Sequence, residues 1–241
     1  MKYSTLAISF FIFGFFTLIL CRAYIKYKTK LLFISNLPNV IGVTGNKYHG
    51  KDTISLYICK KYGFKQVAFA DPIKEICKIL FCFTDDQLHG KSKDISDDRW
   101  FGLSPRNVIQ HVGTELFRDK MKELSESFKD LFWVLCAKNK ILKIREDNPE
   151  SRIIISDVRF PNEVAMIKDM GGIIIRVKRS SLETEKKDTH SSEILVNNLN
   201  VDVDIINDGS LNDLYNKVDD YLDQHVKYKN LINKLKNKKN K

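Results

Sequence analysis

Short apolar runs alternate along the chain with stretches whose apolar residues recur every three or four positions. The runs are rich in β-branched residues and lie at residues 39–44, 65–70, 152–156, 171–177 and 201–207. An unbroken apolar run is typical of a strand buried on both faces of a parallel sheet, whereas the longer spacing is typical of an amphipathic helix. The alternation predicts an α/β fold, with a parallel sheet of about five strands flanked by helices.

Two helix starts are marked by a capping residue followed by proline. Asp71 precedes Pro72, and Ser104 precedes Pro105. An N-cap side chain followed by proline at the first helical position is a strong helix start, so we expect long helices from both points. The polar residues 84–103 between these helices have no clear period and are predicted to form an irregular insert.

The N-terminal residues 4–21 form an uncharged run of 18 residues, which in a helix would span about 27 Å, close to the thickness of a bilayer core. One lysine precedes this run and four basic residues follow it closely. The positive-inside rule therefore predicts a single-pass transmembrane helix with the rest of the chain in the cytoplasm. A cleavable signal peptide is the alternative.

The formal net charge of +10 is concentrated at the two ends of the chain. Residues 1–30 carry five Lys or Arg, and residues 226–241 carry seven Lys, without any acidic residue in either segment. Without these twelve residues, 28 basic residues face 30 acidic ones. The central part is therefore about neutral, and we expect no nucleic-acid partner.

The segment GVTGNKYHGKDTIS, residues 42–55, follows the first predicted strand and precedes a predicted helix. Gly45 and Gly50 have the spacing G-x-x-x-x-G, and Lys51 follows Gly50 directly. Such a turn presents backbone N–H groups and a helix N-terminus to a polyphosphate, and the lysine reaches the β and γ phosphates. The candidate ATP-binding residues are Gly45, Asn46, Gly50, Lys51, Asp52 and Thr53.

Asp52 stands where loops of this kind usually carry serine or threonine. That hydroxyl normally holds the Mg²⁺ that bridges the β and γ phosphates. A carboxylate is a harder oxygen ligand, so Asp52 is a candidate Mg²⁺ ligand, directly or through water, with the Thr53 hydroxyl beside it. The alternative is that Asp52 only caps the helix and offsets its dipole.

The loop GNKYHGKDT resembles that of the deoxynucleoside monophosphate kinases of phages and large DNA viruses, a P-loop kinase family in which GKD replaces GK[ST]. Further segments match this family in order: FADPIKE, SPRNVIQHVGTELFRD, ISDVRFPNE, HSSE and VDVDIINDGSLNDL. The resemblance covers residues 40–221. It implies a P-loop NTPase fold and transfer of the γ-phosphoryl group of ATP to a deoxynucleoside 5′-monophosphate with Mg²⁺, and it leaves a homodimer possible.

The resemblance also implies an acceptor site. Asp71 and Lys74 lie where the family approaches the monophosphate. Arg106, Gln110 and Gly113 share one helix face, where a guanidinium suits a phosphate, an amide suits a base edge, and a glycine leaves room for a ligand. The alternative for Asp71 is a helix cap, and the alternative for Lys74 is a solvated lysine. Arg106 and Gln110 have as their alternative exposed polar side chains without a role.

The segment ISDVRFPNE supplies the remaining candidate catalytic residues besides Lys51. Asp157 is predicted to be a catalytic residue and the second metal ligand. Arg159 is predicted to face the phosphates, as a catalytic residue that also binds the substrate. The alternative for Asp157 is a buried carboxylate held by backbone N–H groups. Glu163 is a candidate for orienting Arg159, with a surface glutamate as the alternative. Arg118 is a weaker acceptor candidate.

The polar segment after the fourth predicted strand matches the lid of monophosphate kinases, which closes over the phosphates. Arg176 and Arg179 are the predicted lid arginines. His190 and Glu193 end this segment. The alternative to a role in the lid is that they form a helix-capping pair without a catalytic task.

Three segments are predicted: residues 1–37 as membrane anchor and basic linker, 38–225 as the P-loop kinase domain, and 226–241 as a lysine-rich tail. Two other functions stay open at this stage. One is a different GKD-type kinase, such as phosphomevalonate kinase, and the other is a non-catalytic, membrane-tethered nucleotide-binding module.

Overall fold

The computed structural model describes residues 2–128, 130–180 and 195–239, and among these it describes only the backbone of residues 2–16, 236, 238 and 239. Pro38–Val218 form one compact unit, while Met1–Leu37 and Asp219–Lys241 form another. The predicted segment boundary at residues 225 and 226 stays a prediction.

The larger unit is built on a five-stranded parallel sheet, as the apolar runs predict. Its strands are β1 (Val40–Thr44), β2 (Lys65–Val67), β3 (Ile153–Ile155), β4 (Ile173–Lys178) and β5 (Val203–Ile206), in the spatial order β2-β3-β1-β4-β5. The central strand β1 pairs with β3 and β4 and is buried at every position. Because all strands are parallel, their carboxyl ends meet at one edge of the sheet.

Eight α-helices accompany the strands in the described part of the chain. They are α1 (Lys2–Asn36), α2 (Lys51–Tyr62), α3 (Asp71–Phe81), α4 (Asp85–His89), α5 (Pro105–His111), α6 (Phe132–Asp147), α7 (Pro161–Asp169) and α8 (Leu211–Lys239). Short 3₁₀ turns lie at Lys91–Asp94, Asp98–Trp100, Met121–Glu123, Glu126–Phe128 and Leu195–Asn198, and α5 continues as a π-helical segment, Val112–Asp119. The core packs α3, α5, α6 and α7 on the sheet through side chains such as Ile73, Val108, Trp133 and Ile167.

The second strand is shorter than the run at residues 65–70 predicts, because side chains take up the backbone groups of its second half. The N–H groups of Phe69 and Ala70 donate to the carboxylate of Asp157, at 2.8 and 2.9 Å. The N–H of Ala68 donates to Asp71 at 3.1 Å. The chain thus leaves the sheet after Val67 and turns towards α3.

The long helix predicted from Ser104 to about residue 123 loses its α-helical geometry after His111. Trp133 donates its indole N–H to the carbonyl of Gly113, at 2.7 Å, and thereby competes with the helical hydrogen bonds there. A Cβ at Gly113 would lie 2.8 Å from Cδ1 of Ile73. The glycine therefore allows close packing on α3, whereas the sequence predicts that it leaves room for a ligand.

The predicted transmembrane anchor at residues 4–21 is wrong. Among the residues that the structure describes, no helix is both long enough and apolar enough to cross a membrane. In α1, the part with described side chains exposes Arg22, Lys26, Lys28 and Lys30, whereas a spanning helix needs about 20 mainly apolar residues. The single-pass membrane localisation and the membrane contact predicted for residues 4–21 are withdrawn with it.

Candidate active site

The β1–α2 loop, residues 45–50, requires glycine at both ends. Gly45 has φ +150° and a Cβ there would lie 2.6 Å from the Val177 carbonyl oxygen. Gly50 has φ +105° and a Cβ there would lie 2.6 Å from Nδ2 of Asn207. Both glycines have a backbone conformation that residues with a side chain disfavour, and both lie close to a neighbouring strand or its end. The absence of a side chain therefore allows the loop backbone to pack directly on the ends of β4 and β5.

The ends of the neighbouring strands hold this loop from behind. The buried His49 accepts a hydrogen bond through its carbonyl from Nδ2 of Asn207, at 2.9 Å, and its Nδ1 accepts one from the backbone N–H of Arg179, at 3.3 Å. On the other side, Thr44 Oγ1 donates to the Val158 carbonyl at 2.6 Å. The loop is therefore fixed through His49 and through the end of β1.

The first turn of α2 has no side-chain cap, because its N-cap residue is Gly50. Among the described residues, Asp52 accepts no hydrogen bond from this turn, and its side chain is exposed. Asp52 therefore does not cap α2 through a hydrogen bond, although its charge lies in the first turn, where it offsets the helix dipole. Lys51, Asp52 and Thr53 lie together in the first turn, where the N–H groups of a helix attract anions.

Three cationic side chains from three other segments lie within electrostatic reach of Lys93. We call Lys93 and these three side chains the cation cluster: Lys51, Lys74, Lys93 and Arg106. Burial is the largest cause that lowers the pKa of Lys93, to about 8, and the charges of its three cationic neighbours lower it as well, while Asp52 opposes the change. Like charges gathered in this way repel one another, and a bound polyanion would relieve the repulsion.

Asp94 connects the β1–α2 loop with α5. Its Oδ1 lies 2.5 Å from Nε of Arg106, and its Oδ2 lies 3.4 Å from Nη2 of Arg106 and 3.0 Å from Nζ of Lys47. The hydrogen bond from Arg106 is the main cause that lowers the pKa of Asp94, to about 2. Asp94 is therefore ionised at neutral pH and holds two cations at once.

The predicted acceptor residues of α3 lie beside this cluster with different partners. Nζ of Lys74 lies 3.4 Å from Nδ1 of His89, and burial lowers the pKa of that histidine, as does the charge of Lys74. The carboxylate of Asp71 accepts from its own turn, at Ala68, and from Nζ of Lys140, at 2.8 Å. Asp71 is thus not the cap that the sequence predicts, because the N-cap of α3 is Ala70 and no side chain caps this helix. Asp71 lies at the first position of α3, where it holds the preceding turn and forms an ion pair with α6.

Both carboxylate oxygens of Asp157 accept backbone N–H groups, those of Phe69 and Ala70. Burial raises the pKa of Asp157, against these hydrogen bonds and the charges of Arg159 and Lys74. Asp157 therefore fixes the turn before α3 to the end of β3, which was the alternative to its metal role. Direct coordination of a metal would have to share oxygens that already accept hydrogen bonds.

Arg118 and Glu163 form a buried pair next to Arg159. Nη2 of Arg118 donates to Oε1 of Glu163 at 2.8 Å, and its guanidinium lies 3.5 Å from the centre of the Phe160 ring. Oε2 of Glu163 accepts the backbone N–H groups of Arg159 and Phe160, at 2.8 and 3.2 Å. Burial raises the pKa of Glu163 to about 7. Glu163 thus holds the backbone of Arg159, and Arg118 is occupied within the fold rather than in an acceptor site.

Arg176 does not have the position of a lid residue. It lies inside β4, is 8% exposed, and pairs with Asp204 of β5 at 2.6 and 3.1 Å. Its Nη1 donates to the carbonyls of Asn197 and Leu199, at 2.7 and 3.3 Å. These partners use the guanidinium for internal structure, so the predicted lid role of Arg176 is corrected.

Arg179 follows β4 directly, and its Nε donates to the carbonyl of Asn207 at 3.1 Å. It therefore lies beside His49 at the back of the β1–α2 loop. The rest of the predicted lid, with His190 and Glu193, lies outside the described residues. Gln110 is half-buried on α5, one helical turn after Arg106, as its spacing predicts.

The sequence analysis missed Lys47, Lys93 and Asp94. Two of them lie in the insert at residues 84–103, where no periodicity marks a functional position. Closely spaced lysines and an aspartate, as in the string KSKD at residues 91–94, are ordinary in an exposed segment. Only the fold brings this string against the β1–α2 loop and α5.

Comparison with known proteins finds a matching family model and similar viral proteins. A family model described as "Deoxynucleotide monophosphate kinase" matches residues 84–218. A protein of Acanthamoeba polyphaga mimivirus with the provisional name deoxynucleotide monophosphate kinase is 36% identical over 186 residues, 74% of this chain and 93% of the relative.

Two phage enzymes match over shorter stretches. The deoxynucleoside-5′-monophosphate kinase of Escherichia phage T5 is 32% identical over 96 residues, which is 38% of this chain and 34% of the phage protein. The deoxynucleotide monophosphate kinase of Escherichia phage RB69 is 32% identical over 127 residues, 52% of this chain and 46% of the phage protein.

Proposed function

The chain belongs to the deoxynucleotide monophosphate kinase family, and from this premise we propose that it transfers the γ-phosphoryl group of ATP to a deoxynucleoside 5′-monophosphate, giving the diphosphate and ADP. It is a kinase by family, and neither phosphomevalonate phosphorylation nor a non-catalytic binding role is favoured. The observation that carries the proposal is the cation cluster, because phosphoryl transfer between two nucleotides gathers several phosphate charges in one place.

The β1–α2 loop is the proposed ATP site. Its backbone and the uncapped first turn of α2 would hold the β and γ phosphates, and Lys51 would neutralise the γ-phosphoryl group. Asn46 and Thr53 lie in the same loop and turn. Support comes from the two glycines, whose positive φ angles and close approach to Val177 and Asn207 set the shape of the loop backbone.

The acceptor nucleotide is proposed to lie between α3, the Lys91–Asp94 turn and α5. Arg106 would bind the 5′-phosphate, since guanidinium groups bind phosphate through paired hydrogen bonds. Lys74 and Lys93 would add charge beside it, and Gln110, one turn along α5, would contact the base through its amide. Family membership and the spacing of Arg106 and Gln110 support this arrangement.

Mg²⁺ fits the residues that lie near the loop. In nucleotide kinases, Mg²⁺ is held by one or two carboxylates together with phosphate oxygens and water. The described residues contain no group of three or more His, Cys, Asp or Glu able to hold a metal by themselves, which agrees with a metal held largely by the nucleotide. Asp52 would be the carboxylate ligand, and Asp157 would act through water, because both of its oxygens accept backbone N–H groups.

When bound, Mg²⁺ would neutralise the charge that develops on the oxygens between the β and γ phosphates. The protein's own part is to position the groups. Arg159 would face the transferring phosphoryl group, with its backbone N–H held by Glu163 at 2.8 Å. Arg179, beside the loop, would add charge at the donor phosphates. Such preorganised charges are the main contribution of a protein to this reaction.

An acceptor panel tests the proposal. The purified protein is mixed with ATP, Mg²⁺ and, separately, each of the four deoxynucleoside monophosphates, their ribonucleotide counterparts, phosphomevalonate or no acceptor. We expect ADP release only with at least one deoxynucleoside monophosphate, together with one diphosphate formed per ADP. ADP release with phosphomevalonate alone, or ATP binding without turnover for any acceptor, would contradict the proposal.

A further inference from the structure

We propose that Asp94 is a positioning residue that sets the Arg106 guanidinium for the acceptor phosphate and couples it, through Lys47, to the ATP-binding loop. This rests on the proposed function, because it takes Arg106 to bind the acceptor. The juxtaposition behind it is one carboxylate shared by a side chain of the β1–α2 loop and a side chain of α5.

The hydrogen bonds of Asp94 occupy one edge of the guanidinium. They use Nε and Nη2 of Arg106. Within the described residues, Nη1 of Arg106 has no protein partner, so the Nη1–Nη2 edge is available for two parallel hydrogen bonds to a phosphate. Without Asp94, the arginine would lose its two hydrogen bonds and would still be repelled by Lys93.

The turn that carries Asp94 is itself held in place. The backbone N–H of Lys91 donates to Oδ1 of Asp86 at 3.2 Å, and the hydroxyl of Ser92 donates to Oδ2 of the same carboxylate. Asp86 lies in α4, whose start is capped by a reciprocal pair of hydrogen bonds between Thr84 and Gln87. Asp94 therefore projects from a fixed turn, which is what a positioning residue requires.

Lys47 provides the contact between Asp94 and the β1–α2 loop. Its Nζ lies 3.0 Å from Oδ2 of Asp94, the same oxygen that faces Nη2 of Arg106. ATP bound at the β1–α2 loop would restrain the Lys47 side chain, and this would hold Asp94 and Arg106 in the binding arrangement. Coupling of this kind is reciprocal, so the acceptor would strengthen ATP binding by the same factor.

The test compares Asp94→Asn and Asp94→Glu with a matched control, Asp98→Asn, an exposed aspartate in the next 3₁₀ turn. Calorimetry measures the Kd of the deoxynucleoside monophosphate in the absence and in the presence of a non-hydrolysable ATP analogue. Steady-state assays give kcat and the KM values for ATP and for the acceptor. Asp94 is 44% exposed, so its substitution is expected to leave the fold intact, which circular dichroism verifies.

We expect Asp94→Asn to raise the acceptor Kd and KM about tenfold, to change the Kd of the ATP analogue measured without acceptor less than about twofold, and to abolish the effect of the ATP analogue on acceptor affinity. Asp94→Glu should recover part of the loss, and Asp98→Asn should behave as the wild type. Lys47→Ala should lose the coupling while keeping acceptor affinity in the absence of ATP.

Unchanged or tighter acceptor binding in Asp94→Asn would overturn the proposal, since the aspartate would then be neutral or would compete with the phosphate for Arg106. Coupling that persists in Lys47→Ala would overturn it as well. These results are distinct from failure of the proposed function, which would appear as wild-type protein without acceptor-dependent ADP release, or as Arg106→Ala with an unchanged acceptor KM.

Discussion

The β1–α2 loop and the cation cluster are neighbouring parts of one candidate site, but they are built differently. The loop is a continuous segment, shaped by Gly45 and Gly50 and fixed from behind by backbone and buried contacts of His49. The cluster draws one charged side chain from each of four segments, and its geometry depends on the ion pairs of Asp94.

This difference separates two ways of making a phosphate site. A loop that binds through backbone N–H groups keeps its shape without any ligand, because its conformation is set by glycine and by packing. A cluster of like charges is repulsive until an anion arrives, so part of its binding energy relieves strain that is already present. We therefore expect the loop to respond to changes in backbone shape and the cluster to respond to charge and pH.

The largest effect is expected at the junction of the two regions. Lys51→Ala should lower kcat/KM about a thousandfold, because the lysine would stabilise the charge on the transferring phosphoryl group. Lys60→Ala, at an exposed position of the same helix, is the matched control and should keep wild-type activity. Assays of ADP release under identical conditions measure both variants, and an active Lys51→Ala enzyme with normal circular dichroism would rule out the loop as the ATP site.

Arg106→Ala tests the cluster alone. Loss of a charge-assisted pair of hydrogen bonds should raise the acceptor KM about thirtyfold and leave the KM for ATP nearly unchanged. Arg106→Lys should recover only part of this loss, because an ammonium cannot form the paired geometry. Equal losses for ATP and acceptor would contradict the separation of donor and acceptor regions, and separate titrations of the two substrates distinguish these outcomes.

Gly50→Ala tests the loop alone. Forcing φ +105° on alanine and moving the Asn207 side chain off the His49 carbonyl should lower the free energy of unfolding by about 3 kcal/mol. Gly63→Ala is the comparison, since Gly63 also has a positive φ, +75°, but a Cβ there meets nothing within 4 Å. It should cost about 1 kcal/mol. Urea titrations measure both, and equal costs would mean that the contact with Asn207 contributes nothing.

The smallest effect is expected from the pH dependence of the cluster. The pKa of Lys93 is lowered to about 8, chiefly by burial, so this side chain loses its charge as the pH rises through that value. A nucleotide phosphate keeps its full charge above pH 7 because its second pKa is about 6. Acceptor affinity should therefore fall about threefold between pH 7 and 9.

Lys93→Arg is the control for this pH effect, since arginine stays charged across the range. Its acceptor affinity should be nearly constant from pH 7 to 9 when measured by calorimetry. A variant that retains the full pH dependence would show that another group titrates, and Lys93 would then be no part of the acceptor site.

The sequence by itself determined the parallel sheet and the β1–α2 loop, because both depend on local properties. Unbroken apolar runs mark strands buried on two faces, and the glycine spacing before a helix marks a turn that needs unusual backbone angles. The spacing of Arg106 and Gln110 on α5 is equally local. The anchor was also predicted locally, from one uncharged run, and it was wrong: among the described residues no helix is both long enough and apolar enough to cross a membrane.

Only the tertiary structure decided what the charged side chains do. Arg176 and Arg106 have the same chemistry in the sequence, yet their partners differ. Arg176 is occupied by Asp204 and by backbone carbonyls, whereas Arg106 lies in a group of like charges with one edge of its guanidinium available. Asp94 gains its importance from Lys47 and Arg106, which are distant in the chain. Long-range ion pairs depend on which surfaces the fold brings together, and a linear sequence does not contain those distances.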